Sequence, residues 1–375
     1  MRIGIDISQI VYQGTGVASY TRFLVESLVK VAPNEEFVLF GSSLRNRQPL
    51  NEFVKSLEVK NVQKKFSFLP PKLLEFLWNG VHVLPIEAFT GPLDVFHSSD
   101  WLEPPTRKAK RVTTIHDLAV FKHPETFIRR GGHDIVANQK RKLHFVKHYS
   151  DLVIAVSQTT KKDVVEILGI PERKVRVIYE AADPFYSPRS EKEIKAAKEK
   201  FGIEREYILS VGTREPRKNL DRLVMAFAEI AGTNKDLSLV IVGKYGWGTQ
   251  NSKLESKVKI LGFVEKEDLV GLYSGAKAFV YPSLYEGFGL PILEAMASGC
   301  PVITSDLGAM KEVADKAAIL VEPEKAESIA NAISQVVRNR KLQEELRLKG
   351  FKRAGEFSWE KAALQTLRAY HSLVE

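Results

Sequence analysis

The chain has 375 residues and a formal net charge of +9, with 44% hydrophobic and 27% charged residues. This length fits two domains of roughly 100–200 residues each, and the apolar content argues against disorder as the main state. A single cysteine, Cys300, excludes an intrachain disulfide and a cysteine-based zinc site. The charge alone leaves nucleic acid, an anionic membrane or an acidic ligand as partners.

Short β-branched runs alternate with helical patterns through the first half of the chain. The predicted strands are residues 2–8, 36–40, 93–96, 112–115, 152–156 and 175–178. Between the first two, residues 17–31 place Phe23, Leu24 and Leu28 on one face of a predicted helix. This alternation predicts a parallel sheet with helices on both faces.

A segment rich in proline and small residues, residues 180–190, interrupts the pattern and is typical of a linker. The alternation then restarts, with predicted strands at 207–211, 237–242, 258–261, 278–281, 302–304 and 319–321. Predicted helices cover 191–201, 219–231, 266–276, 291–298 and 358–373. The sequence therefore predicts an α/β fold of two doubly wound, Rossmann-like domains facing across a cleft. They span 1–183 and 184–357, with a C-terminal helix, 358–375, packing back toward the first domain.

The most informative segment is VYPSLYEGFGLPILEAMASGCPVIT, residues 280–304. A strand ends near Tyr281, a loop with two glycines follows, and Pro291 suits the first position of a helix. Free backbone N–H groups and the helix dipole make such a loop an anion site. Glu286 lies in the loop and Glu294 in the helix, so both carboxylates are predicted to face one ligand.

This segment resembles the E-x7-E motif of the family 4 glycosyltransferases, which are retaining enzymes with the two-domain GT-B fold. Glu286 and Glu294 are eight positions apart, as the motif requires. The continuation ASGCPVITSDLGAMKEV, residues 297–313, is also similar to the family. The resemblance runs over most of the chain and is sharpest in the second half. It implies a donor held by the C-terminal domain and an acceptor held by the N-terminal domain.

A basic turn, VGTREPRKNL at residues 211–220, follows a predicted strand and opens a helix. Arg214, Arg217 and Lys218 converge there, and a diphosphate suits such a cluster. The turn is similar to the family's diphosphate-binding loop, with Lys218 at the motif's lysine. Many relatives have an arginine five or six residues earlier, where this chain has Thr213 and Gly212, so either Arg214 or Arg217 supplies the second charge.

Two further segments follow predicted strands in the first half. QGTGVASY, residues 13–20, is a partial GxGxxG pattern and a weak dinucleotide fingerprint. In the resembled family a glycine loop here closes over the donor, which makes Gly14 and Gly16 donor-binding candidates. IHDL, residues 115–118, places His116 at a strand end, and the family has a donor-sugar histidine in this loop. His97 and Asp100 lie at another strand end and are candidates for acceptor contact.

The resemblance implies a sugar transferase that uses a nucleotide-activated donor. Glu294 would bind the ribose hydroxyls and Glu286 the donor sugar, while backbone N–H groups of Gly287, Phe288, Gly289 and Leu290 hold sugar hydroxyls and phosphate. Lys218, with Arg217 or Arg214, would neutralise the leaving diphosphate, so no metal and no cofactor is expected. The GTREPRKN turn most resembles mannosyltransferase-like members, which puts GDP-mannose first and a UDP-sugar second.

Much of the positive charge falls in residues 107–147, which hold 11 Lys/Arg and 3 Asp/Glu. A solvated helix face, an anionic acceptor and an anionic membrane surface all remain open for this window. Aromatic residues are sparse there, so nucleic acid is not expected as a partner.

Residues 66–85 are predicted to form a helix packed mainly into the core. The sequence shows no apolar signal-peptide core and no apolar run long enough to span a membrane. This predicts a cytoplasmic protein with at most a peripheral membrane contact.

Three alternatives remain at this point. A nucleotide-sugar epimerase of similar architecture would convert the donor without an acceptor. A nicotinamide-dependent dehydrogenase would need a better glycine fingerprint and an acidic residue after the second strand, whereas Glu35 and Glu36 precede it. A non-catalytic protein would bind nucleotide sugar or glycan without turnover. If the chain is a sugar transferase, its acceptor would be a lipid-linked or polysaccharide intermediate of the cell envelope.

Overall fold

The computed structural model describes residues 1–43, 46–127, 135–213, 215–234, 236–243 and 257–375. These residues form two compact units. Unit 1 comprises residues 1–180 and 358–375, and unit 2 comprises residues 181–357. The division lies in the expected linker, three residues before the predicted boundary at 183, and the last helix belongs to unit 1.

Unit 1 contains a parallel sheet in the order β3-β2-β1-β4-β5-β6-β7. Its strands are β1 (Arg2–Asp6), β2 (Glu36–Ser42), β3 (Val62–Ser67), β4 (Val95–Ser98), β5 (Lys110–Ile115), β6 (Leu152–Ala155) and β7 (Val175–Val177). Its helices before residue 180 are α1 (Gly16–Val31), α2 (Gln48–Ser56), α3 (Pro71–Glu75), α4 (Glu87–Thr90), α5 (Ala119–Lys122), α6 (Ile135–Tyr149) and α7 (Gln158–Leu168). The chain order reverses between β1 and β4, and ligands of doubly wound sheets bind at such a switch point.

Unit 2 contains a second parallel sheet, in the order β10-β9-β8-β11-β12-β13. Its strands are β8 (Glu206–Val211), β9 (Leu237–Val242), β10 (Val258–Gly262), β11 (Ala278–Tyr281), β12 (Val302–Ser305) and β13 (Ala318–Val321). Its helices are α8 (Glu191–Lys200), α9 (Leu220–Ala231), α10 (Lys266–Gly275), α11 (Leu290–Ala297), α12 (Gly308–Ala314), α13 (Ala326–Arg338) and α14 (Arg340–Ala354), and α15 (Trp359–Val374) then joins unit 1. The switch point of this sheet lies between β8 and β11, and the predicted pair of Rossmann-like domains is confirmed.

The central strands are buried on both faces, as parallel sheets require. In unit 1, Val38, Phe40 and Phe96 belong to one apolar cluster beneath the flanking helices. The N-terminus of α1 is capped by Thr15, whose hydroxyl accepts a hydrogen bond from the Ala18 N–H at 3.3 Å. The cap fixes where α1 begins, directly after the glycine loop.

Helix α15 packs against α1 through aromatic side chains. Trp359 stacks on Phe23 with ring centroids 5.6 Å apart and meets Tyr20 edge-on at 5.8 Å. Farther along α15, the buried Tyr370 hydroxyl lies 2.6 Å from Nδ1 of His97. Helix α15 is therefore anchored to the rest of unit 1.

The prediction of one helix over residues 66–85 is wrong. Phe66 and Ser67 end the edge strand β3, which the sequence analysis missed because this strand is mostly polar and exposed. Only Pro71–Glu75 and a π-helical turn, Phe76–Gly80, are helical. Leu74 and Trp78 are buried as expected, whereas Phe68 and Phe76 are exposed.

Within the described ranges, no helix has the length and apolar character needed to cross a bilayer.

Candidate active site

The switch point of unit 2 holds a buried carboxylate between two cations. One oxygen of Glu286 accepts hydrogen bonds from Nζ of Lys218 at 2.6 Å and from the Tyr281 hydroxyl at 2.9 Å. Its other oxygen accepts from Nη1 of Arg217 at 2.7 Å. All of these side chains follow or end β8 and β11, so the sheet itself brings the basic turn to the glutamate loop.

Backbone contacts fix the two loops against each other. The Leu284 N–H donates to the Arg217 carbonyl at 2.8 Å. Asn219, in the left-handed conformation at φ 59°, donates through its amide to the carbonyls of Pro282 and Pro323 at 3.0 and 2.7 Å. Asn219 is buried and carries these bonds between separate loops, so it is a positioning residue of the site.

The charge state of Glu286 follows from these neighbours. Burial raises the pKa of its carboxyl, but Lys218 and Arg217 outweigh burial and lower that pKa to about 2. Burial also lowers the pKa of Lys218, against the opposing effect of Glu286. The site therefore presents an ionised carboxylate shared by two cations near neutral pH.

Glu294 lies in α11 and has a different environment. Its carboxylate accepts a hydrogen bond from the Tyr273 hydroxyl at 3.2 Å, and the Tyr186 hydroxyl also bonds to it. Burial raises the pKa of Glu294 to about 7, with a further contribution from Asp183. Lys266, which pairs with Asp183 at 2.7 Å, opposes this rise only in part.

The loop between the two glutamates turns sharply into α11. Gly289 precedes the helix at φ 104°, a conformation that L side chains rarely adopt. Pro291 lies in the first turn of the helix, one residue after the first position that was predicted for it. Leu290 begins the helix, and the Phe288 side chain is buried edge-on against Phe357, with ring centroids 5.8 Å apart. Gly287 lies in this loop between Glu286 and Phe288, and the expectation that backbone N–H groups here bind the donor stays a prediction.

Of the two candidates for the second diphosphate arginine, Arg217 lies among the described residues. Arg217 lies beside Lys218 and also pairs with Glu215 at 2.9 Å through Nε. Arg214 lies outside the described residues. Arg217 is therefore the arginine that the described structure brings to the lysine.

In unit 1, taken by itself, His116 directly follows β5. Its Nδ1 lies 2.9 Å from a carboxylate oxygen of Glu180, and the Tyr20 ring packs edge-on at 4.6 Å between centroids. His116 also lines a small pocket with Asp6, Thr21 and Asp100, at the carboxyl ends of the central strands. The strand-end position predicted for this histidine is present.

The glycine loop of unit 1 is exposed and lies between β1 and α1. Gly14 has φ 78°, and Gly16 is the first residue of α1. The Thr15 N–H donates to the Tyr12 carbonyl at 3.3 Å, which closes the turn. The loop matches the predicted place in the fold, and its role toward a donor stays a prediction.

His97, considered for acceptor contact, is a core residue. Its Nδ1 faces the Tyr370 hydroxyl at 2.6 Å and its Nε2 faces Thr114 Oγ1 at 2.8 Å. Burial lowers the pKa of His97 to about 3, which keeps the ring neutral. Nδ1 thus contacts α15 and Nε2 contacts β5, so both ring nitrogens already have partners within unit 1.

Sequence reasoning missed several residues of these clusters. Tyr281 and Tyr273 sit in apolar runs that predict core packing, and their hydroxyl contacts depend on tertiary structure. Glu180 belongs to the segment interpreted as a linker. The sequence analysis placed Asn219 at the start of a helix. Asparagine favours turns and tolerates the left-handed conformation, so its identity was the one signal for this position.

Among the residues that the structure describes, no group of three or more His, Cys, Asp or Glu side chains is placed to hold a metal ion.

Comparison with known proteins identifies the family. A model of the group 1 glycosyl transferases matches residues 191–353, and a model of glycosyltransferase family 4 matches residues 14–184. The O-antigen chain mannosyltransferase B of Escherichia coli is 31% identical, with full coverage of both chains. The O-antigen chain mannosyltransferase RfbU of Salmonella typhimurium is 31% identical over 60% of each chain.

Solved structures agree in fold. The sucrose-phosphate synthase of Thermosynechococcus elongatus superposes with a TM-score of 0.73 at 21% identity, covering 100% of this chain and 99% of its own. This chain belongs to the group 1 and family 4 glycosyltransferases, and it is a glycosyltransferase.

Proposed function

We propose that the chain transfers a mannosyl unit from GDP-mannose, with retention of configuration and without a metal ion, to a glycan or lipid-linked acceptor. The observation that carries this proposal is the cluster of Glu286, Arg217 and Lys218 at the switch point of unit 2. The full-length similarity to an O-antigen chain mannosyltransferase supports mannose as the sugar. The similarity of the GTREPRKN turn to mannosyltransferase-like members supports the same choice.

The cations act on the leaving group. When the bond from the sugar C1 to the β-phosphate oxygen breaks, its electron pair stays on that oxygen. Lys218 and Arg217 then stabilise the developing charge, as fixed donors do in a partly desolvated site. The acceptor oxygen bonds to C1 from the same face, and its proton passes to the leaving phosphate oxygen. Neither Glu286 nor Glu294 acts as a covalent nucleophile.

Glu286 binds the donor sugar, and it also competes for the cations. One oxygen of Glu286 already contacts Lys218 and the other contacts Arg217, so a diphosphate must share or displace these contacts. Glu294 binds the ribose hydroxyls, which can donate hydrogen bonds to its carboxylate oxygens. Gly14 and Gly16 belong to the loop that closes over the donor, and His116 contacts the donor sugar.

A panel of nucleotide sugars tests the donor. The purified chain is incubated with GDP-mannose, UDP-glucose and other UDP-sugars, with acceptor extracts, and nucleotide release is measured with and without EDTA. We expect GDP release from GDP-mannose that EDTA does not reduce, and sharp losses in Glu294→Ala and Lys218→Ala proteins that remain folded. No turnover with any donor would refute the proposal, and loss of activity with EDTA would refute its metal independence.

A UDP-sugar is the second candidate donor. The Anabaena protein HepE, solved in complex with UDP and glucose, has a TM-score of 0.70 at 18% identity and covers 99% of both chains. Release of UDP and not GDP in the same panel would favour this candidate. Conversion of the donor without any acceptor would instead favour an epimerase.

Membrane contact through the basic window is a separate part of the proposal. Arg107, Lys108, Arg141 and Lys147 are exposed, whereas Lys142 is buried, so the surface charge is smaller than the sequence suggested. Residues 128–134 of this window lie outside the described residues. Sedimentation with vesicles of anionic lipid should show binding that weakens between low and high salt. Absent or salt-insensitive binding would contradict an electrostatic contact.

A further inference from the structure

His116 is paired with a buried carboxylate that the sequence placed in a linker. Glu180 is 4% exposed and lies after β7, at the end of the first stretch of unit 1. Its Oε1 is 2.9 Å from Nδ1 of His116, which itself follows β5. Two adjoining loops of unit 1 thus meet in this one contact.

The contact fixes the proton on the ring. A carboxylate accepts hydrogen bonds, so Nδ1 carries a hydrogen that it donates to Glu180. Within the described ranges, Nε2 of His116 has no hydrogen-bond partner. The edge-on Tyr20 ring restrains the imidazole, and Tyr20 is itself held by Thr114 at 2.8 Å. The imidazole is therefore held in one orientation with Nε2 left for a ligand.

The charges around His116 favour its protonated form. Burial lowers the pKa of the imidazole, but Glu180, then Asp100 and Asp117, outweigh burial and raise the pKa above its ordinary value. On other elements, Asp6 of β1, Tyr20 of α1 and His97 of β4 line the same pocket as His116, and burial keeps His97 neutral. While the imidazole is protonated, Nε2 carries a hydrogen and is a charged donor.

We infer that Glu180 is a positioning residue that holds His116 as a cation with Nε2–H directed to an oxygen of the bound donor. The inference rests on the proposed function, because that function supplies the donor. A charged donor at Nε2 would favour an oxygen of an anionic sugar nucleotide. Glu180 does not touch the substrate and acts only through His116.

Glu180→Gln tests the inference, because the amide keeps the shape and can still accept from Nδ1 while the charge is removed. The pKa of His116 is measured by NMR of ring-labelled histidine, with the signal assigned from His116→Asn. We expect this pKa to fall by about one unit or more in Glu180→Gln. The decline of kcat/KM at high pH should move to lower pH by a similar amount, with near wild-type kcat/KM below both pKa values.

Glu125→Gln is the matched control. Glu125 also accepts from a histidine Nδ1, that of His123 at 3.1 Å, but its side chain is 61% exposed. We expect no change in the pH profile of this variant. A merely structural role of Glu180 would instead lower kcat/KM equally at all pH values and reduce the midpoint of thermal unfolding.

The outcomes separate this inference from the proposed function. If the wild type turns over a nucleotide sugar but Glu180→Gln leaves both the His116 pKa and the pH profile unchanged, the inference is wrong and the proposed function stands. If no donor is turned over, the proposed function fails, and the NMR titration still decides whether Glu180 sets the charge of His116.

Discussion

The two glutamates of the E-x7-E motif lie eight residues apart and have opposite environments. Glu286 is held by Arg217 and Lys218, which lower the pKa of its carboxyl to about 2. Glu294 contacts phenol hydroxyls, and burial raises the pKa of its carboxyl to about 7. Spacing thus places the two glutamates at one loop and helix, while their tertiary neighbours set the pKa of each carboxyl.

The largest effect is expected from removing a cation beside Glu286. Lys218→Ala leaves a buried carboxylate with less compensation, which costs about 3 kcal/mol of unfolding free energy. It should also reduce kcat by about 100-fold or more, because a donor to the leaving group is lost. Urea unfolding and steady-state kinetics measure these effects.

Lys311→Ala provides the control for this change. Lys311 pairs with Asp306 at 2.7 Å on the surface of unit 2, and its side chain is 60% exposed. Its loss should cost less than about 1 kcal/mol and leave kcat unchanged. Equal effects of the two alanine variants would remove the distinction between a buried, functional cation and an ordinary surface lysine.

The next effect concerns acid stability. The folded-state pKa of Glu286 lies below its ordinary value of 4.5. The stability that its charged form gives the fold is therefore complete above pH 4.5 and is lost as pH falls toward about 2. The loss is on the order of 3 kcal/mol. Glu286→Gln should therefore flatten the decline of unfolding free energy over this range, measured by urea titration at several pH values. An unchanged pH dependence would show that the ion pairs do not lower this pKa.

Glu294 should behave in the opposite sense. Its folded-state pKa is raised, so its stabilising effect is complete below 4.5 and is lost as pH rises through about 7. Glu294→Gln should thus gain stability relative to wild type, by about 2 kcal/mol, between pH 5 and pH 8.5. Denaturant titrations at these two values measure it. A relative loss over the same interval would reverse the comparison between the two glutamates.

The smallest effect is expected at the phenol that supports Glu294. Tyr273→Phe removes one hydrogen bond worth about 1 kcal/mol and should raise the KM for the donor several-fold. Tyr207→Phe is the matched control, because its buried hydroxyl donates to the Leu272 carbonyl at 2.7 Å. That variant should lose stability with an unchanged KM. A change in KM for both variants would indicate a general loosening of the unit.

The sequence predicted much of the fold because its strands are apolar runs separated by clear turns. Strands β9 and β11 match the predicted residues, whereas β3 was missed because its polar edge position hides the strand signal. The contact of Lys218 with Glu286 depends on β8 lying beside β11, a neighbour relation that the sequence analysis did not predict. The hydroxyl contacts of Tyr273 and Tyr281 could not be predicted, since an apolar run containing a tyrosine does not indicate where its hydroxyl points.

Equilibrium binding of GDP tests the central claim most directly, namely that Lys218 and Arg217 form a diphosphate site for which Glu286 competes. Calorimetry with GDP, and with UDP in parallel, would compare the wild type, Lys218→Ala and Glu286→Gln. We predict binding to the wild type, at least 10-fold weaker binding to Lys218→Ala and several-fold tighter binding to Glu286→Gln despite its slower transfer. Equal affinity of all three proteins, or no binding of either nucleotide to the wild type, would contradict the account.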